Sequence, residues 1–182
     1  WQMPDNHPPL YYFLVLLTSK ILPSTEWMIR FVSMSAGLGI VYLVYLFTRR
    51  ITGGKNLALL AAFFTAFSSY FVLISQMARY HSLAALFSLM VFYFFYQLYA
   101  EGCSNRIWCW YLAVLVLVGY TDYPHFFYVA LITNVLYFYR LIIHRSIMPF
   151  FKWFIGQILA AILLSPLVWM IYNRIVIQGD SG

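Results

Sequence analysis

The sequence predicts an all-α integral membrane protein, with about six transmembrane helices behind an N-terminal interfacial helix. Three observations carry that reading. First, 64% of the residues are hydrophobic and 9% charged, with a mean hydropathy of +0.80; a soluble domain carries about 25% charged residues. Second, the apolar runs are helix-length, unlike the alternating segments of about ten residues found in an outer-membrane barrel. Third, Lys and Arg gather in alternate connections between those runs.

The elements follow in chain order. Pro8 to Leu22 is the first apolar stretch, and its Pro8-Pro9 pair suits the first turn of a helix. At 1.5 Å per residue it reaches about 22 Å, short of a hydrocarbon core of about 30 Å, so it reads as a helix lying in the interface. Pro23, Ser24 and Thr25 break and cap, with Glu26 well placed in a new first turn. Six spans are then expected over 27–48, 57–75, 81–100, 107–121, 124–143 and 149–172. Residues 55–101 contain neither Gly nor Pro, yet one helix there would run about 70 Å, more than twice the membrane core. The polar cluster SQMARYHS, Ser75 to Ser82, is where the chain turns. Ser165-Pro166 predicts a kink in the last span. The whole reads as one transmembrane domain: outer loop and interfacial helix at 1–26, bundle at 27–172, the start of an outer loop at 173–182. The chain begins at Trp1 rather than Met and is read as a fragment. Cys103 and Cys109 share one short loop region, fit no metal spacing, and read as small apolar residues.

Charge gives the orientation. With the N-terminal segment on side one, side two receives Arg49, Arg50, Lys55, Arg106, Arg140, Arg145 and Lys152 against Glu101. Side one receives Lys20, Arg30, Arg79 and Arg174 against Asp5, Glu26, Asp122 and Asp180, and these cancel. Side two therefore holds the whole net charge of +6 and is cytoplasmic by the positive-inside rule. The basic pI of about 9.4 reports topology, so no nucleic-acid partner is expected.

Titratable residues collect on the other face. His7, His81, His125 and Arg79 join four of the five acids there, and all of these except Glu26 and Asp180 come from three separate segments: DNHPP, SQMARYHS and YTDYPH. Ionisable groups at a membrane edge are costly, so their convergence points to chemistry on the extracytoplasmic side. Each residue also has a plain structural reading. Arg79 could be a snorkelling helix-end arginine, His7 an interfacial cap, Asp5 a charge on a helix dipole, and Asp122 with His125 a tight turn.

DNHPPLYYFL (5–14) resembles the D-x-H-P-P-L-Y-Y segment of GT-C superfamily glycosyltransferases of the protein mannosyltransferase-like group. EWMIRFVSMSAG (26–37) resembles that group's E-x3-R-x2-S-x3-G pattern, and SQMARYHSL (75–83) its S-Q-x-A-R-x-Y-x-L. GYTDYPH (119–125) resembles its Y-T-H-Y turn. His81 stands where the third motif has Tyr, and Asp122 where the fourth has His. The resemblance covers roughly residues 5–140 and implies a GT-C-like fold. It also implies transfer of a sugar from a polyprenyl-phosphate donor to a glycan, lipid or protein acceptor. The setting would be the extracytoplasmic face of a plasma (inner) membrane. The group's principal catalytic acid lies upstream of HPPL, just after a first span that this chain does not contain.

Such a transfer is substitution at an anomeric carbon. A carboxylate takes the acceptor's proton, and cationic donors stabilise the departing phosphate. Asp5 and His7 are the catalytic candidates. His7, Arg79 and Gln76 are candidates for the donor phosphate, where a guanidinium fork donates bidentately and keeps its charge. Asp122, His125 and His81 are candidates for the acceptor or a metal, and a divalent cation such as Mg or Mn could share the phosphate's charge. Tyr80, Tyr120 and Tyr123 read as an interfacial belt. Two other readings stay open at this point: a transporter of a lipid-linked or small polar solute, and a non-catalytic membrane subunit. Span interiors without charge, except near their ends, weigh against the transporter.

The orientation is testable. Single cysteines at Asn6 and Asn56, probed in intact cells with an impermeant thiol reagent, should label at position 6 and not at 56. The reverse pattern would refute the topology.

Overall fold

Unbroken apolar sequence coils into helices here because a bilayer offers backbone N–H and C=O groups no water, so they must satisfy one another within the segment. The computed structural model describes residues 9–20, 26–77, 79–100, 104–144 and 150–179. They form eight helices: α1 (Leu10–Ser19), α2 (Glu26–Thr52), α3 (Lys55–Ala66), α4 (Ser69–Gln76), α5 (His81–Ala100), α6 (Asn105–Thr121), α7 (Tyr123–His144) and α8 (Phe150–Gly179). No strand occurs among the described residues.

Four helices are long and apolar enough to cross a membrane: Arg30–Thr52 within α2, α5, Tyr123–Ile143 within α7 and Phe150–Met170 within α8. The span expected at 57–75 is not one straight helix. It divides into α3 and α4, bent by 57°, and counts as a fifth crossing if the pair acts as one broken span. The break falls at Phe67-Ser68, with Ser68 in extended geometry (ψ 119°). Adjacent Ser68 and Ser69 can bond nearby backbone in place of the helical ladder, and such serine pairs are a recurrent cause of kinks. The turn expected in Ser75–Ser82 is present as well, between the end of α4 at Gln76 and the start of α5 at His81. The fourth expected span, 107–121, is α6, which has 17 residues, about 26 Å of rise. Cys109 lies within α6 and not in a loop; it is a free, exposed thiol. Cys103 lies outside the described residues.

Directions follow from side-chain contacts. Ser33 meets the carbonyl of Arg79, and Phe47 meets Tyr96, so α2 and α5 run parallel. Phe94 stacks on Trp110 and Tyr111 bonds Thr133, so α5, α6 and α7 alternate. The starts of α2, α5 and α7 thus share one end with the end of α6. Between α2 and α3 the chain reverses at Gly53, whose φ of 68° is left-handed and whose N–H bonds the Arg49 carbonyl at 2.9 Å. Glycine is the residue that takes this helix-ending conformation without a Cβ clash.

Two cores hold the helices. The larger joins α5, α6, α7 and α8 through Val91, Phe95, Tyr111, Leu115, Val118 and Trp153. The smaller joins α1, α2 and α5 through Tyr11, Val32, Ala36 and Leu83, and Phe87 packs against both. The large core carries a polar seam in which Tyr111 Oη donates to Thr133 Oγ1 at 3.1 Å and Trp153 Nε1 donates to Asn134 Oδ1 at 3.0 Å. Bonds of this kind fix helix register where lipid gives no hydrophobic preference between partners. Outside these cores the helices present large apolar side chains such as Phe127, Leu131, Ile142, Phe151 and Ile162 to their surroundings.

α8 stays helical through Pro166. Proline lacks the N–H that would bond the carbonyl four residues back. That carbonyl belongs to Ile162, and Ser165 Oγ donates to it at 2.7 Å. The Ser-Pro pair therefore repairs its own break.

A close approach explains Gly37. A Cβ there would lie 2.7 Å from the Cβ of Ser75, a position set by the α4 backbone. Gly37→Ala should destabilise the purified protein by about 1–3 kcal/mol, the usual cost of overpacking, with partial rescue by Ser75→Gly. Thermal unfolding in detergent measures both. A Gly37→Ala protein stabilised by its better helix propensity would contradict the contact.

Candidate active site

Two tied clusters lie at the shared end of the bundle. In the first, Ser33 of α2 is fully buried, and its Oγ donates to the backbone carbonyl of Arg79 at 2.9 Å. A hydroxyl has one proton, so the 3.3 Å contact between Ser33 Oγ and Tyr11 Oη has the tyrosine as donor. The relay runs Tyr11 Oη to Ser33 Oγ to Arg79 carbonyl. It pins α1, α2 and the connection between α4 and α5 to one another. Burial pushes the Tyr11 phenol above its ordinary pKa, and the Ser33 hydrogen bond pulls part of that back. The phenol stays protonated, as a donor must.

The motifs read from sequence acquire physical roles in this cluster. Tyr11 belongs to DNHPPLYY, Ser33 and Gly37 to EWMIRFVSMSAG, Ser75 and Arg79 to SQMARYHSL. Gly37 admits Ser75, and Ser33 then holds Arg79 by its backbone. The Arg79 side chain is exposed, and no hydrogen bond engages its guanidinium among the described residues. Gln76, the last residue of α4, is exposed beside it. His81 opens α5 half-buried, its ring 4.4 Å from that of Tyr80 at 47°. Asp5 and His7 lie outside the described residues.

The second cluster is the hinge between α6 and α7. Asp122 is the single residue separating these helices and is extended (φ −162°, ψ 125°). Its N–H bonds the Val118 carbonyl at 2.8 Å, closing α6. Its carbonyl accepts from the Phe126 N–H at 3.2 Å, opening α7. Pro124 sits in the first turn of α7, where a missing N–H costs nothing. The Asp122 side chain is 8% exposed and bonds Nδ1 of His125, whose side chain is 41% exposed. A buried carboxylate on Nδ1 holds its proton and leaves Nε2 as the acceptor toward the outside. Such a pair can take a proton from, or position, a hydroxyl.

Tyr11 and Ser33 are scaffold residues of the cluster that residue chemistry alone misses, because neither carries a charge. The available signal was their position inside the first and second motifs. Among the described residues no three His, Cys, Asp or Glu side chains come together to hold a metal ion. Asp122 and His125 supply two donors, short of a metal site, and no step below passes through a metal.

Fold and site together define an all-helical membrane protein that gathers a guanidinium and a carboxylate–imidazole pair at one end of its bundle. The chain belongs to the dolichyl-phosphate-mannose-protein mannosyltransferase family, which it matches over residues 6–170. A protein of Aquifex aeolicus (strain VF5), described as an uncharacterized protein, is 31% identical over 173 residues. That match takes in 94% of this chain and 33% of the relative, so the chain spans about one third of the relative's length. No solved structure matches it.

The dyad predicts a tautomer. In ¹⁵N spectra of histidine-labelled protein, His125 should carry its proton on Nδ1, and Asp122→Ala should mix the two neutral forms. An Nε2-protonated His125 in the unsubstituted protein would contradict the arrangement.

Proposed function

We propose that this chain is part of a GT-C type membrane glycosyltransferase that passes a sugar from a polyprenyl-phosphate donor to a hydroxyl on a glycan, lipid or protein. The site lies on the extracytoplasmic face of the plasma (inner) membrane. Family membership over residues 6–170 supports the class. The observation that carries the site is Arg79, held by its backbone through Ser33 while its guanidinium makes no hydrogen bond among the described residues.

A polyprenyl tail keeps its phosphate at headgroup depth, the level of the connection that bears Arg79. In the reaction the acceptor oxygen bonds the anomeric carbon as the bond from that carbon to the phosphate oxygen breaks. The electron pair leaves on the phosphate, where the Arg79 fork stabilises it by two parallel hydrogen bonds. Gln76 and His7 are the further donors proposed for that group. The acceptor's proton passes to a base, with Asp5 as one proposed group. His125 Nε2, held by Asp122, would orient the acceptor hydroxyl from the opposite side of the site, with His81 beside the phosphate. A divalent cation, Mg or Mn, would need donors beyond Asp122 and His125.

Arg79→Lys should fail despite keeping its charge, since an ammonium cannot reproduce the planar fork. Arg79→Ala and His7→Ala should each lower transfer by about 10²–10³, the scale of one lost transition-state donor. Their double variant should lose less than the product, because both act on one phosphate. The assay is transfer from a polyprenyl-phosphate sugar by purified full-length protein, with melting checked for each variant. Near-normal turnover in a well-folded Arg79→Ala protein would overturn the proposal.

A further inference from the structure

The opposite end of the bundle carries a cavity that the reaction does not use. It has a volume of about 390 Å³ and is lined by Phe47 of α2, by Phe92, Tyr96 and Tyr99 of α5, and by Leu136 and Tyr139 of α7. That volume is within the range of about 300–1,000 Å³ typical of small-molecule sites. α5 forms its floor, with α2 and α7 as walls. Tyr99 and Tyr139 are exposed at its rim, so it opens sideways, where lipid tails would be. A narrow crevice shares Phe95, Tyr99 and Leu136 with the cavity and adds Arg140. The cavity is therefore an apolar trough with a guanidinium at its head.

Arg140 has an unusual set of partners. Its Nη1 donates to the Tyr99 carbonyl at 2.7 Å, in the last turn of α5, and its guanidinium carbon lies 3.2 Å from the centre of the Tyr99 ring. Its Nε is buried with no hydrogen bond. Among the described residues no carboxylate meets it: Asp122 lies at the other end of the bundle, as does the helix start that bears Glu26. A buried guanidinium nitrogen without an acceptor is expensive, and a charge there without an anion more so.

We infer that this trough binds an anionic phospholipid of the cytoplasmic leaflet, one acyl chain along Phe47, Tyr96 and Tyr139 and the phosphate on Arg140. The charge pattern favours this occupant. The end bearing the trough holds the protein's net positive charge, and the leaflet it faces carries anionic headgroups. A helix from the remainder of a longer chain could fill the trough with apolar side chains but would leave Arg140 without an anion. A phospholipid supplies both chemistries in one molecule. The aromatic walls add edge-on ring contacts, Phe47 lying 5.8 Å from Tyr93 and 5.7 Å from Tyr96. They make the trough stiff enough to hold a flexible chain without first having to order itself.

Native mass spectrometry of the full-length protein tests this, using an equal mixture of phosphatidylglycerol and phosphatidylcholine with identical acyl chains. The unsubstituted protein should retain phosphatidylglycerol about tenfold or more over phosphatidylcholine, the scale of hydrogen bonds to a charged group. Arg140→Gln should abolish that preference. Leu136→Trp, which fills the trough and leaves Arg140 in place, should lower retention of both lipids; it carries the test if Arg140→Gln does not fold. Equal retention by the unsubstituted protein, an unchanged preference in Arg140→Gln, or unchanged retention in Leu136→Trp would each overturn the inference. So would finding no retained lipid, which would assign the trough to another part of the chain.

Discussion

The Ser33 hydroxyl accepts a hydrogen bond from Tyr11 and gives one to the carbonyl of Arg79, and the geometry of that end of the bundle depends on this buried pair of bonds. Without it the connection between α4 and α5 would be an exposed turn with no fixed height against the bundle. With it, three segments distant in sequence become one unit, and an arginine whose side chain makes no hydrogen bond among the described residues is nonetheless held by its backbone. Pinning through the main chain leaves the guanidinium wholly available to a ligand. Under the proposed function that division matters, because holding Arg79 by its side chain would occupy the donors that a phosphate would need.

Charge is arranged around the same constraint. Most of the acids and histidines collect at the end where Ser33 and Asp122 lie, and most of the Lys and Arg at the other. The spans between hold the helices by apolar packing and by a short polar seam, Tyr111–Thr133 and Trp153–Asn134. Each end then has its own anion chemistry. Arg79 stands exposed at the same end of the bundle as the Asp122–His125 carboxylate–imidazole pair. Arg140 stands at the head of an aromatic trough that opens sideways.

Most of the fold is legible in the sequence because membrane helices are specified by continuous apolar length, which composition reports directly. α5, α6 and α7 begin and end within two residues of the expected bounds. The bend between α3 and α4 is the failure. Hydropathy is blind to it, since Phe67-Ser68-Ser69 stays apolar enough on average, and the signal was the adjacent serines, a residue type that favours turns and caps over helix interiors. The site was legible in its charged members and not in its scaffold. Arg79, Asp122 and His125 stand out among apolar neighbours, whereas Ser33, Tyr11 and Gly37 have roles that exist only once α1, α2 and α4 meet. The pairing of Asp122 with His125 was half visible: the spacing of three puts both at one hinge, but the burial of the carboxylate comes from packing by the surrounding helices.

The most direct measurement is equilibrium binding of a polyprenyl phosphate that carries no sugar, compared among the unsubstituted protein, Tyr11→Phe, Ser33→Ala and the double variant. Removing a hydrogen bond of ordinary strength, about 1 ± 0.5 kcal/mol, should weaken binding roughly three- to tenfold in Ser33→Ala. Tyr11→Phe should act in the same direction. The double variant should bind no more weakly than Ser33→Ala alone, since the tyrosine acts through the serine. Affinity unchanged in a folded Ser33→Ala protein would show that Arg79 does not owe its placement to this relay, and would contradict the account.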